Sequence, residues 1–457
     1  MALPFRFPAI RARNRRRLLV AFAGLWLGFV PPHSAGADDF PRMDLSPEWG
    51  GHLRGQVHLS RPPGDSVFRT VGGGTFVDGA AELRLKNRLF FGDRGTLETH
   101  YEVLGVRSET RKKTRALRNL PELARDGGDG RASLAFGDGD EATDDRRFLN
   151  LTRTLGDGED WLVRHRLDRL VFSIRTERGA ALRIGRQALT WGNGLIFNPM
   201  DLFNPFAPTD VLRDYKAGDD MALVRLPAGS LGEFQAVYVP RRNPANGHLS
   251  REESALGSRI HFVRGALEFD LTAGWNRENL VVGAGVAGYL GGAAWRADLI
   301  HTRLPKESRK SGYVSAVINL DHSWTMWGRN GYGFLEFFHS GLGDDDPAAA
   351  ATDPDLAEAL ARGERFTLGR NYLAGQVRIE IHPLVNLLLT AIHNAGDSSS
   401  VFQPRVVWSM AENLDLLAGA NLYRGGRDSE FGGFRIPGVR GEIAPAPGVY
   451  GWLTWYF

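Results

Sequence analysis

The chain has 457 residues, no cysteine, 56 glycines and 10% aromatic residues, with a mean hydropathy of −0.26. It holds no run of the ~20 apolar residues that a membrane-crossing helix requires, and the lack of cysteine excludes disulfide scaffolds, thiolate metal sites, thiol catalysis and covalent haem attachment on this chain. The pI of 9.1 comes from the first 37 residues, where six arginines meet no acid: without them the net charge goes from +3 to −3, and composition gives no argument for nucleic-acid binding.

Those arginines (Arg6, Arg11, Arg13, Arg15, Arg16 and Arg17) precede an apolar run from Leu18 to Val30, then Pro31, Pro32 and the small residues Ala35-Gly36-Ala37. This order predicts a secretory signal peptide over residues 1–37. The run would reach only about 20 Å as a helix, short of the ~30 Å hydrocarbon core, which argues against an anchor. No cysteine follows it, so a lipoprotein anchor is excluded. Residues 38–51 are read as a periplasmic N-terminal segment, and residues 52–457 as one barrel.

From His52 onward apolar and polar residues alternate in runs of about ten. In 371–382, Leu373, Val377, Ile379 and Ile381 oppose Gln376, Arg378, Glu380 and His382. In 81–89, Ala81, Leu83, Leu85 and Leu89 oppose Glu82, Arg84, Lys86 and Arg88. One face suits lipid and the other water, as in membrane-spanning strands of ~9 to 11 residues. The predicted strands are 52–59, 76–90, 96–106, 162–176, 180–187, 219–226, 232–240, 256–264, 266–275, 280–289, 293–302, 313–323, 332–340, 371–381, 385–394, 400–408, 413–423 and 448–457. The fold class is therefore all-β: a transmembrane antiparallel up-and-down barrel of about eighteen strands, with sixteen to twenty as the range.

The connections support an even count. Those after even-numbered strands are short turns, while the length lies after odd-numbered strands, in 107–161, 188–218, 241–255, 303–312, 341–370 and 424–447. Bacterial barrels keep short turns in the periplasm and long loops outside. The chain closes on Leu453, Trp455 and Phe457 along one strand face. That pattern resembles the C-terminal strand signal read by the barrel assembly machinery, and its aromatics fit an interfacial girdle in outer-membrane lipid.

A barrel of ~16 to 18 strands leaves an aqueous channel. The charged positions assigned to its inner face are Arg84, Lys86, Arg88, Arg169, Arg175, Arg183, Arg225, Arg259, Arg296 and Arg378, with Glu82, Asp298, Asp321, Glu336, Glu380 and Asp415. The basic excess predicts passage of small hydrophilic solutes with a preference for anions, unless the charges pair across strands and cancel.

The most individual segment is Gly185-Arg186-Gln187-Ala188-Leu189-Thr190-Trp191-Gly192-Asn193-Gly194, continuing to Pro208. A solvated loop is polar, yet 188–218 carries Trp191, Ile196, Phe197, Met200, Leu202, Phe203 and Phe206. It is expected to fold into the barrel mouth as a constriction, with Trp191, Asn193, Phe197, Asp201, Phe203 and Phe206 as its residues. Packing against other loops and a partner-docking surface are the alternatives. The GRQ-x-L-x-WG-x-G run resembles the strand-end motif of porin-like proteobacterial barrels, some related to alginate-export channels. It spans about ten residues and implies the class without a substrate.

The remaining loops are polar. In 107–160, Arg107, Arg111, Lys112, Lys113, Arg115 and Arg118 precede Asp138, Asp140, Glu141, Asp144 and Asp145, which reads as a solvated loop folded on itself. Asp344-Asp345-Asp346 reads as an exposed acidic turn before a short alanine-rich helix in 347–362. No cofactor, metal site or covalent chemistry is expected: His393-Asn394 and His339-Ser340 are the nearest material for a lipase, and adjacent strand residues point to opposite faces. A rival function is a sheath around a periplasmic or electron-transfer partner. Homo-oligomerisation is compatible with the channel reading, although no sequence pattern marks a subunit interface.

Overall fold

The computed structural model describes residues 45–72, 74–118, 144–203, 205, 215–229 and 232–457. Its strands are β1 (Leu45–Ser60), β2 (Phe76–Phe91), β3 (Gly95–Ser108), β4 (Thr152–Asp157), β5 (Trp161–Arg175), β6 (Ala181–Gln187) and β7 (Asp219–Pro227). Next come β8 (Gly232–Arg242), β9 (Leu249–Arg264), β10 (Leu267–Asn276), β11 (Asn279–Leu290), β12 (Ala293–Arg303) and β13 (Gly312–Met326). The series ends with β14 (Arg329–Ser340), β15 (Asn371–His382), β16 (Val385–Asn394), β17 (Ser399–Ala411), β18 (Leu414–Arg424) and β19 (Gly448–Tyr456). Each pairs antiparallel with its neighbour, and β1 pairs with both β2 and β19, which closes the sheet. Leaving out β4, eighteen strands form the wall, one for each predicted strand.

Two features depart from the sequence reading. β1 begins at Leu45 and pairs with β2 from Leu45↔Phe91 onward, so 45–51 belongs to the wall. Pro47, Gly50 and Gly51 interrupt the alternation there, which hid the strand. The second is β4, inside the connection read as a solvated loop. It pairs with β5 along Leu162 to Arg166, whereas β6 pairs with β5 from Leu170 to Arg175. β4 thus occupies the edge that short β6 leaves free.

Strand parity decides what each face shows. Ile260, Leu271, Val282, Leu299, Ile318, Leu335 and Leu373 are exposed on the outer face. Arg54, Arg84, Glu102, Gln235, Asp270, Asp298, Asn319, Glu336 and Gln403 are buried on the inner one. Exposed aliphatic side chains in a continuous band, with charges inside, invert the arrangement of a water-soluble protein and suit a wall bathed in lipid. No helix among the described residues is long and apolar enough to cross a membrane. The helices lie in connections: α1 (Glu109–Arg118), α2 (Pro347–Thr352) and α3 (Pro354–Ala361). Asp346 and Asp353 cap the last two, their carboxylates accepting from Ala348 N and from Asp355 and Leu356 N. Asp344 pairs with Arg370 at 3.2 Å, so the acidic triplet serves a cap and an ion pair.

Candidate functional site

The chain leaves β6 at Gln187 and turns into the lumen. Trp191 is 1% exposed, packs edge-on to Phe203 at 5.2 Å and donates its indole N–H to Gln235 Oε1 at 2.8 Å. Around them Leu189 of the loop and Met221, Leu223, Val237 and Val239 of β7 and β8 form an apolar cluster. The indole donor is therefore satisfied inside an otherwise dry contact. The loop then crosses to the opposite wall. Asn193 donates from its backbone N and its Nδ2 to Asp298, both at 2.7 Å. The backbone N–H groups of Leu195, Ile196 and Phe197 converge on the Glu336 carboxylate at 2.6, 3.0 and 2.7 Å. Phe197 stacks on Phe338 with ring centres 4.6 Å apart, beside Tyr372, Ile392 and Val401. Seven strands, β7 to β13, separate β6 from β14 along the closed wall, so this contact lies almost half a circumference from where the loop began.

This geometry accounts for the glycines of the WG-x-G run. Gly192 has φ +88°, and a Cβ there would stand 2.3 Å from Asn198 Oδ1. A Cβ on Gly194 would stand 1.8 Å from the Phe197 carbonyl oxygen. Only glycine permits the reversal that aims three consecutive N–H groups at one carboxylate.

The returning end of the loop is held by charge. Lys216 donates to Leu189 O and to Asp201 Oδ1, both at 2.5 Å, which joins the beginning, middle and end of the loop. Burial raises the Asp201 carboxyl to about 6 even against the Lys216 ammonium, and lowers Lys216. Tyr215 donates to Glu102 Oε2 at 2.5 Å, and the Arg84 guanidinium lies 3.7 Å above its ring. Burial and the adjacent Glu102 and Glu82 carboxylates push the Tyr215 hydroxyl up. Phe206 lies outside the described residues, as do Asp138, Asp140 and Glu141.

The sixteen charged positions read as inward all fall on the inner parity of their strands, and they divide by their partners. Arg84 binds Asp168 at 2.5 Å and Glu102 at 3.3 Å. Glu82 faces His52 at 3.2 Å and Arg54 at 3.9 Å. Arg169 binds Asp168 at 2.6 Å, Arg259 binds Asp270 at 2.6 Å, and Arg296 binds Asp321 at 2.5 Å. Arg88 stands 3.6 Å from Glu48, Glu380 accepts from Asn330 at 2.9 Å, and Arg378 lies over the Tyr332 ring at 5.7 Å. Asp298 and Glu336 hold the loop. Lys86, Arg175, Arg183, Arg225 and Asp415 make no side-chain hydrogen bond or ion pair among the described residues.

Sequence reasoning missed Glu98, Glu102, Arg164, Arg166 and Asp168. The pairing of β3 with β5 shifts register between His100 and Tyr101, which lets consecutive Asp168 and Arg169 both reach the lumen side. Strict alternation cannot anticipate a bulge. Of the two histidine pairs considered for hydrolysis, His393 faces Ser400 at 2.9 Å and His339 faces Asn371 at 2.8 Å, both across strands. Their sequence neighbours Asn394 and Ser340 are buried on the inner face.

No protein-family model matches the chain, and no curated protein matches it in sequence. Among solved structures it is similar to OccK5 (OpdH) of Pseudomonas aeruginosa, with a TM-score of 0.50, 10% identity, and coverage of 90% of this chain and 97% of that one. OccAB2 of Acinetobacter baumannii follows at 0.49 and 10%, covering 90% and 98%, and a BenF-like porin from Pseudomonas fluorescens Pf-5 at 0.48 and 12%, covering 90% and 98%. At these identities the likeness is one of fold. The class that fold and exterior define is an integral β-barrel of the Gram-negative outer membrane.

Proposed function

We propose that this chain is an outer-membrane channel for small hydrophilic solutes, narrowed by the 188–218 loop and favouring anions. The observation that carries the reading is the loop's attachment to the far wall. The Glu336 carboxylate that gathers three loop N–H groups sits almost opposite the strand from which the loop departs, so the segment spans the lumen instead of lining one side. A polar inner face and an interior too wide for side chains to fill suit water-filled passage.

The charges that make no side-chain hydrogen bond or close ion pair support the anion preference more directly than the raw count. Lys86, Arg175, Arg183 and Arg225 are basic and Asp415 is the single acid in that group, while most of the acids named above are engaged by arginines or by the loop. Uncompensated guanidinium and ammonium groups along a lumen attract anions and repel cations. The test is the reversal potential of the refolded mature protein in a planar bilayer under a potassium chloride gradient. A potential on the chloride side is expected, and one on the potassium side removes the anion preference.

A further inference from the structure

We propose that the outer face of β12 at its loop end, together with loop 304–311, binds the phosphorylated headgroup of an outer-leaflet glycolipid. The proposal rests on the outer-membrane reading with this loop outside the cell. Along β12 the outward positions run Leu299, His301, Arg303, an aliphatic group followed by two basic ones. Leu299 is 57% exposed, and the cross-strand neighbours of His301 are Val282 and Val314, themselves 52% and 40% exposed. The apolar band therefore reaches this height, and Leu280 with the exposed Trp275 carries it on beside Arg303. At about 3.4 Å per residue Arg303 stands roughly 13 Å beyond Leu299 along the strand, the step from hydrocarbon to headgroup level. On β14 and β15 the outward aliphatic series gives way in the same manner to hydrogen-bonded His339 and Asn371.

Lys306 and Arg309 continue the patch. Their loop is fixed by Leu304 N to Ser311 O at 3.1 Å and by Asp355, which accepts from the backbone N–H of Arg309 and Lys310 at 3.0 and 3.3 Å. The exposed side chains of Arg303, Lys306 and Arg309 make no hydrogen bond or ion pair among the described residues, and Glu307 is the one acid in the loop. Several exposed arginines elsewhere are matched, as Arg94 is with Glu177, Arg107 with Asp160 and Arg115 with Asp157. Opposite Arg303 stands Gly312, where a Cβ would meet Thr302 O at 2.6 Å, so the strand pair closes there without a facing side chain. Three unmatched cations directly above a continuous apolar wall fit a phosphate borne on acyl chains. A soluble phosphate would gain nothing from the wall.

The experiment is native mass spectrometry of the full mature barrel in detergent, titrated with bis-phosphorylated lipid A, with its dephosphorylated form and with inorganic phosphate. Wild type is expected to retain lipid A. The triple variant R303A/K306A/R309A should retain it about a hundredfold less, at roughly fivefold per basic group. Dephosphorylated lipid should behave like the variant, and inorganic phosphate should not compete. Equal retention by wild type and triple variant overturns the proposal, as does displacement by inorganic phosphate. Should the triple variant fail to fold, K306E in the loop reads the same effect without touching a strand. Conductance of the same preparations keeps the two readings apart: a barrel that conducts but ignores lipid A defeats this site alone, and one that binds lipid A but never conducts defeats the channel alone.

Discussion

Two stretches that interrupt the run of strands, 144–157 and 188–203, meet the barrel in opposite ways. The second is apolar and enters the lumen, where Trp191, Phe197 and Met200 each find an apolar patch on a different part of the wall. The first is polar and becomes part of the wall. β4 pairs with β5, Arg147 bridges Arg241, and Arg186 binds Asp144 and Asp220 at 2.9 Å each while remaining 1% exposed. Apolar side chains report their destination one at a time, since each needs only a dry neighbour. Charges report theirs only as a set, because none can be buried until its partners arrive.

The comparison breaks most sharply at Arg186. R186L leaves Asp220 buried without its cation and Asp144 with Arg147 alone, and removing one partner of a buried pair costs about 3–5 kcal/mol. Loss of hydrogen-exchange protection across β4, with the distant β12 to β17 wall unchanged, is the expected result. Next comes E336A, which strands the N–H groups of Leu195, Ile196 and Phe197. At about 1–3 kcal/mol for each unsatisfied donor, offset by loop relaxation, we expect about 3 kcal/mol of lost protection confined to the loop. Protection in 193–199 that survives E336A would mean that Phe197 packing alone holds the crossing.

Acidity separates the two stretches by sign. Burial raises Asp201 to about 6, so the stability it contributes is complete below its unfolded value near ~4 and is lost as pH rises through about 6. Asp144 behaves oppositely: burial alone would raise it, but Arg186 and Arg147 hold it below its ordinary value, so its contribution is present at neutral pH and lost on acidification below ~4. Acidifying from pH 7.5 to 5 should therefore tighten the 188–203 loop while leaving β4 unaffected. D201N should abolish the change, measured as exchange corrected for intrinsic rates. The smallest expected effect is on selectivity, where K86E should move the reversal potential toward cations without altering the fold.

Much of the barrel was legible because the wall repeats one rule. Period two runs through every wall strand, and an extra or missing strand would have exchanged long and short connections from that point on. The exceptions have local causes: Pro47, Gly50 and Gly51 blur the start of β1, and the β3–β5 bulge carries Asp168 inward beside Arg169. The inward loop was legible as a destination from Trp191, Phe197 and Phe203. Its attachment was not, since Glu336 looks in sequence like any inward acid, and the three N–H groups it accepts belong to backbone that carries no letter of its own. The unmatched status of Lys86 and Arg225 was equally hidden, because the acids that might have neutralised them are taken by residues far away in the chain.

The claim on which the account turns is that the 188–218 loop narrows an open channel. Single-channel conductance in a planar bilayer, comparing wild type with a deletion of residues 192–212, tests it directly. Steady conductance in wild type that rises severalfold on deletion is the predicted result. Equal conductance in both, with the deleted barrel shown to be inserted, would contradict it.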